Sequence, residues 1–143
     1  MSGDSPVVMH WDCDRQGCFN RKKRLKFGVF KGCLPGNISF TDIDGLVEIC
    51  GNFLYLEWKD HQGLSTGQRI LFERMTLLCP ATVLIVEGDA QDMSVRSIST
   101  VSRGVISPSE PAVLDGLRSQ IRQWCDWALA NPALRVTQEA SCS

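Results

Sequence analysis

Hydrophobic and polar positions divide the chain into a short series of elements. Two apolar-rich runs, Ile43 to Cys50 and Phe53 to Lys59, are separated by Gly51-Asn52, a pair suited to a two-residue turn, and they read as a β-hairpin. After the loop DHQGL, Ser65 can cap a helix, with Gln68 reaching back as the other half of a capping box. That helix runs to about Leu78 with Leu71, Met75 and Leu78 inward, and Pro80 stops it. Thr82 to Val86 is a continuous apolar run suited to a strand buried on both faces. Strand, helix, strand implies a crossover and a parallel pair. A weaker strand lies around Ser94 to Ser102. The last helix starts near Ser109-Glu110-Pro111, carries Val113, Leu117, Ile121, Trp124 and Ala128 on one stripe, and ends at Asn131-Pro132. The expected fold class is α/β, a central mixed β-sheet with flanking helices.

Length and composition fit one domain. The 143 residues, 43% of them apolar, can bury an ordinary core without disulfide staples. Within a single domain over 1–143, the pattern separates a Cys-containing segment at 1–40, a core at 41–90, the helix at 109–131 and a tail at 132–143 expected to fray. A short helix near 25–33 is expected in the first of these. The net charge of −1 argues against a uniformly basic coat for nucleic acid. MSGDSPVV lacks a basic stretch followed by a long apolar run, and no later segment approaches a bilayer span, so the expectation is no membrane and a cytoplasmic location. Seven cysteines, an odd number scattered through core and tail, suggest reduced thiols instead of a disulfide framework.

Charge placement adds chemistry. With Gly51-Asn52 as the turn, Cys50 faces Phe53 and Asp44 lies opposite Lys59. Opposed residues share a face, so Asp44, Glu57 and Lys59 project together, with Glu57 diagonal to Asp44 at a Cβ separation of about 7 to 8 Å. Asp42, on the same face but past the end of the ladder, is a second-choice metal ligand. Two carboxylates beside one lysine suit a hard cation, Mg²⁺ or Mn²⁺, that keeps waters and a substrate phosphate in its shell. Such a site suits phosphodiester hydrolysis, the lysine orienting or deprotonating the attacking water.

Asp44 followed by Glu57-Trp58-Lys59 resembles the D…(D/E)-x-K signature of the PD-(D/E)XK nuclease superfamily. LSTGQRILFERM and ATVLIVEGD extend the likeness, because compact members similar to Holliday-junction resolvases and VRR-NUC domains also place a helix with an early Gln, then a buried strand, after E-x-K. The likeness covers about residues 40 to 90. It implies a restriction-endonuclease-like core, metal binding by Asp44 and Glu57, catalysis by Lys59 and an active-site role for Gln68. Ile43 stands where the family often has Pro, and an acidic ligand on an N-terminal helix has no clear counterpart. The overall shape also resembles small proteins encoded by phages and prophages, which would place it in the host cytoplasm; the resolvase likeness is compatible with a homodimer.

The N-terminal segment carries two further possibilities. His10, Cys13, Cys18 and Cys33 are candidate zinc ligands, but only one close pair exists, which favours ordinary cysteines. Arg21, Lys22, Lys23, Arg24 and Lys26 form a basic run able to neutralise DNA phosphates without reading sequence. With this likeness the sequence points to an Mg²⁺-dependent endonuclease acting on DNA, branched or phage DNA being the substrates the likeness suggests. Its rivals are a catalytically silent nuclease-fold module that binds nucleic acid or protein, and a zinc-stabilised structural protein.

Overall fold

The computed structural model describes residues 25–61 and 63–133. The chain divides into two compact units, Met1–Asp42 and Ile43–Ser143. In the described part of the first, a 3-10 turn at Phe27–Phe30 replaces the expected helix over 25–33. Phe27 stacks on Phe40, and Phe30 meets Phe40 edge-on.

The second unit is a mixed α/β fold. Its strands are β1 (Gly45–Ile49), β2 (Asn52–Lys59), β3 (Ala81–Asp89), β4 (Ser94–Ser102), β5 (Val105–Ile106) and β6 (Glu110–Pro111); its helices are α1 (Thr66–Leu78) and α2 (Leu114–Ala130). The sheet runs β1-β2-β3-β4-β5, with β6 also paired to β4. β1 and β2 are antiparallel, β2 and β3 parallel across α1, and β3 and β4 antiparallel. This is the mixed sheet with flanking helices that the hydrophobic pattern implies.

Its even-numbered residues on β2 and β3, Leu54, Leu84 and Val86, pack with Leu117, Ile121 and Trp124 of α2. The odd-numbered ones, Tyr55, Val83 and Ile85, pack with Phe72 and Met75 of α1. One helix therefore covers each face, as the two-residue period of a strand requires.

Three local expectations need correction. The hairpin turn is Cys50-Gly51, one place earlier than Gly51-Asn52; both residues have positive φ, 52° and 82°, which matches the right-handed twist of the strands. Tertiary bonding decides this. Asn52, only 2% exposed, is drawn into β2, where its amide donates to the carbonyls of Ala128 and Asn131 at the end of α2. The inward face of α1 is Phe72 and Thr76 with Met75 beside them, whereas Leu71 is 38% and Leu78 79% exposed. Thr76 tolerates burial because its hydroxyl donates to Phe72 O and accepts from Gly104 N. Finally, Glu110-Pro111 pairs with Ser97-Ile98 of β4, so α2 starts only at Leu114 and leaves Val113 exposed as its N-cap.

Cys33, Cys79 and Cys125 are free thiols. Cys50 is disulfide-bonded, a correction to the expectation of reduced thiols, at a turn where it is also buried. Among the described residues, no helix is long and apolar enough to cross a membrane.

Candidate functional site

β2 positions the cluster. Its odd residues face α1, and at the end of the strand the apolar Phe53 and Tyr55 give way to Glu57 and Lys59 on that same face. Glu57 is 7% exposed, an uncommon state for a carboxylate without partners. Its partners come from both sides. Gln68, in the first turn of α1, donates from Nε2 to Glu57 Oε1 at 2.8 Å, and its Oε1 accepts from Lys59 Nζ at 2.6 Å. Lys59 Nζ also lies 3.4 Å from Glu57 Oε1.

Gln68 has a second task. Its Oε1 accepts from the backbone N–H of Ser65 at 3.3 Å, while Ser65 Oγ accepts from Gln68 N at 3.2 Å, so the expected capping box is present. The cap fixes the rotation of the first helical turn and thereby aims the glutamine at β2.

Asp44 lies immediately before β1. The observed ladder pairs Gly45 with Leu56, so one step further along Asp44 comes level with Glu57 and not with Lys59. Moving the turn by one place shifts each pairing by two residues, which leaves every side chain on its original face. Asp44 therefore still shares a face with Glu57 and Lys59. Its Oδ2 accepts from the backbone N–H of Trp58 at 2.7 Å.

Burial pushes the Glu57 carboxyl above its ordinary value, and the neighbouring Asp44 charge adds to the rise; the Lys59 charge and the bonds from Lys59 and Gln68 oppose it. A carboxyl whose ionisation is opposed by burial and by a neighbouring carboxylate is a favourable place for a cation. Glu57 Oε2 makes no hydrogen bond among the described residues and is not sealed from solvent.

The remaining sequence candidates fall elsewhere. Asp42 is exposed and belongs to the N-terminal unit. Cys33 is an exposed free thiol, and Lys26 is exposed in that same unit. His10, Cys13, Cys18, Arg21, Lys22, Lys23 and Arg24 lie outside the described residues. Among the described residues, no group of three or more His, Cys, Asp or Glu side chains gathers as a metal site.

Two residues on the α1 side of the sheet escaped sequence reading. Glu87 of β3 is level with Lys59 in the parallel ladder. It continues the odd-numbered face of Val83 and Ile85, a signal visible in ATVLIVEGD once the strand is extended past Val86. Arg96 of β4 sits 3.7 Å from Glu87 through Nε and donates from Nη2 to the carbonyl of Asp60. A bulge opposite Glu87 and Gly88 disrupts the alternation at Arg96, so periodicity gave no warning of it.

No protein-family model, curated protein or solved structure matches the chain.

Proposed function

We propose that the chain is a divalent-metal-dependent endonuclease of the PD-(D/E)XK type that hydrolyses DNA phosphodiester bonds. The observation that carries this reading is Gln68 joining Glu57 to Lys59 while Asp44 is tied to the intervening Trp58: two carboxylates and an ammonium held on one face at one strand end. A structural ion pair explains the contact between Lys59 and Glu57. The Trp58 N–H bond gives Asp44 a structural role too; the nuclease reading adds a use for a second carboxylate set where it opposes ionisation of the first.

The donors fit Mg²⁺ or Mn²⁺. Both are carboxylates, hard oxygen ligands, and a pair of them with water and phosphate completing the shell is the usual manner in which Mg²⁺ is held. Asp44 and Glu57 would hold it; when bound, it would neutralise charge developing on the phosphoryl oxygens and acidify a coordinated water. Lys59, held as an ammonium that donates to Gln68, orients the attacking water and offsets negative charge at the phosphate. Gln68 holds Lys59 at that position and keeps one Glu57 oxygen engaged, leaving Oε2 to the cation. The order of strands and α1 around the cluster supports a restriction-endonuclease-like core.

The test is Mg²⁺-dependent and Mn²⁺-dependent cleavage of supercoiled, linear, single-stranded and branched DNA, with calorimetric metal binding. Cleavage lost in Lys59→Ala with metal affinity kept supports the reading. Metal binding without cleavage of any substrate would favour a silent binding module, and absence of metal binding even with DNA present would end the nuclease reading.

A further inference from the structure

We infer that Arg96 is a phosphate-binding residue, which extends the cluster across the sheet to hold a DNA phosphate flanking the one that is cut. This rests on the nuclease reading for its substrate class and on separate geometry for its site.

Arg96 occupies the bulge of β4, between the pairs Glu87 with Ser97 and Gly88 with Val95. Ser97 shares the face of Glu87, to which its hydroxyl donates at 3.4 Å, while Val95 packs in the core beneath α2. The extra residue turns Arg96 toward Glu87, on the face that carries Glu57 and Lys59. Its backbone is fixed as well: the carbonyl of Arg96 accepts from Ala112 N at 3.0 Å.

β4 lies two strands from β2, about 10 Å away. The Arg96 side chain covers that span, because Nη2 reaches the carbonyl of Asp60, the residue directly after Lys59. The guanidinium is therefore delivered to the same strand end as the ammonium. Its donors are only partly used. Nε faces Glu87, one Nη2 hydrogen goes to Asp60, and Nη1 has no partner among the described residues; the side chain is 49% exposed.

That state differs from an ordinary surface ion pair. A flexible arginine is held from two sides with Nη1 left open toward solvent, N–H donors able to reach phosphate oxygens. A bulge beside a candidate site commonly re-aims a side chain in this manner. Glu87 acts as the positioning residue.

The experiment measures duplex DNA binding as a function of salt in Ca²⁺ and in chelator, together with Mg²⁺-dependent cleavage, for wild type, Arg96→Ala, Arg96→Lys and Glu87→Gln. Thermal melting checks the fold of each variant. Arg96→Ala should weaken binding about tenfold and lower the slope of log K against log salt by about one, raising KM with kcat within about twofold. Arg96→Lys should restore the slope but only part of the affinity, because the ammonium keeps the charge and loses the fork. Glu87→Gln should leave the slope unchanged.

An Arg96→Ala variant with wild-type binding and slope overturns the inference, as does wild-type protein that binds no DNA. Equal losses of melting temperature in Arg96→Ala and Glu87→Gln, with no change in slope, would also overturn it and leave a stabilising pair. Binding that responds to Arg96 in protein that never cuts DNA would retain the phosphate site and remove the nuclease reading, so the two can fail separately.

Discussion

The backbone N–H of Trp58 donates to the carboxylate of Asp44 at 2.7 Å, tying the acid before β1 to the strand that carries Glu57 and Lys59. Asp44 is thus both an anchor of the hairpin and a charge facing Glu57. Asp44→Ala should cost about 1 to 3 kcal/mol, since it removes a charge-assisted acceptor, and should also abolish Mg²⁺ binding and cleavage. Asp42→Ala should have a much smaller effect on both. Chemical denaturation and calorimetry of the two variants check this, and a larger metal-binding loss at Asp42 would reverse the ligand assignment.

Gln68 allows capping and site chemistry to be separated. Ser65→Ala removes the hydroxyl half of the box and should cost about 1 kcal/mol with a much smaller loss of cleavage than Gln68→Ala, because the Gln68 side chain still reaches Glu57 and Lys59 whenever the turn is formed. Gln68→Ala should cost a similar amount and lower kcat at least about tenfold, as Lys59 and Glu57 both lose their bridge. Urea unfolding beside cleavage rates distinguishes them; equal activity losses would mean that Gln68 acts only through the helix.

Glu57 predicts a pH dependence of unusual sign. Its carboxyl is raised from the ordinary 4.5, so the unfolded chain releases this proton at lower pH than the folded chain does. Between the two pKa values the folded state binds more protons, and the contribution of Glu57 to stability falls as pH increases. In chelator, the unfolding free energy of wild type minus that of Glu57→Gln should decline as pH rises from about 4.5, and Mg²⁺ should reverse the decline. A flat difference would show that burial and Asp44 together do not raise the Glu57 carboxyl.

Gly88 ties the bulge to the core. A Cβ there would meet the carbonyl oxygen of Ser94 and the ring of Trp58, whose indole N–H already donates to the carbonyl of Gly88 at 3.1 Å. Gly88→Ala should therefore destabilise by about 2 to 4 kcal/mol, readable in urea unfolding. A neutral result would mean that β3 and β4 pair differently at this point.

Much of this architecture was legible because apolar spacing is set by helix and strand geometry. The parallel pairing across α1 follows from it directly, whereas Ser94–Ser102 was only weakly marked, its Val95, Ile98 and Val101 standing three apart. The turn did not, since Gly51-Asn52 is good local turn chemistry that loses to the burial of Asn52 against the end of α2. The shared face of Asp44, Glu57 and Lys59 survived that error because a two-residue shift in pairing preserves parity. The inward face of α1 was misjudged by favouring leucine over threonine, when backbone bonding makes Thr76 the easier side chain to bury. Arg96 was out of reach: a bulge is a departure from the very period that sequence reading relies on.

The placement of Gln68 has a dynamic consequence. The first turn of a helix is where fraying begins, and here the residue closing that turn also spans the carboxylate and the ammonium. Each opening of the turn releases Lys59 from Gln68 and leaves Glu57 with one partner fewer. The grouping of Lys59 with Glu57 is then a local equilibrium, weighted by the few residues from Ser65 to Gln68 and able to loosen on warming before the sheet unfolds.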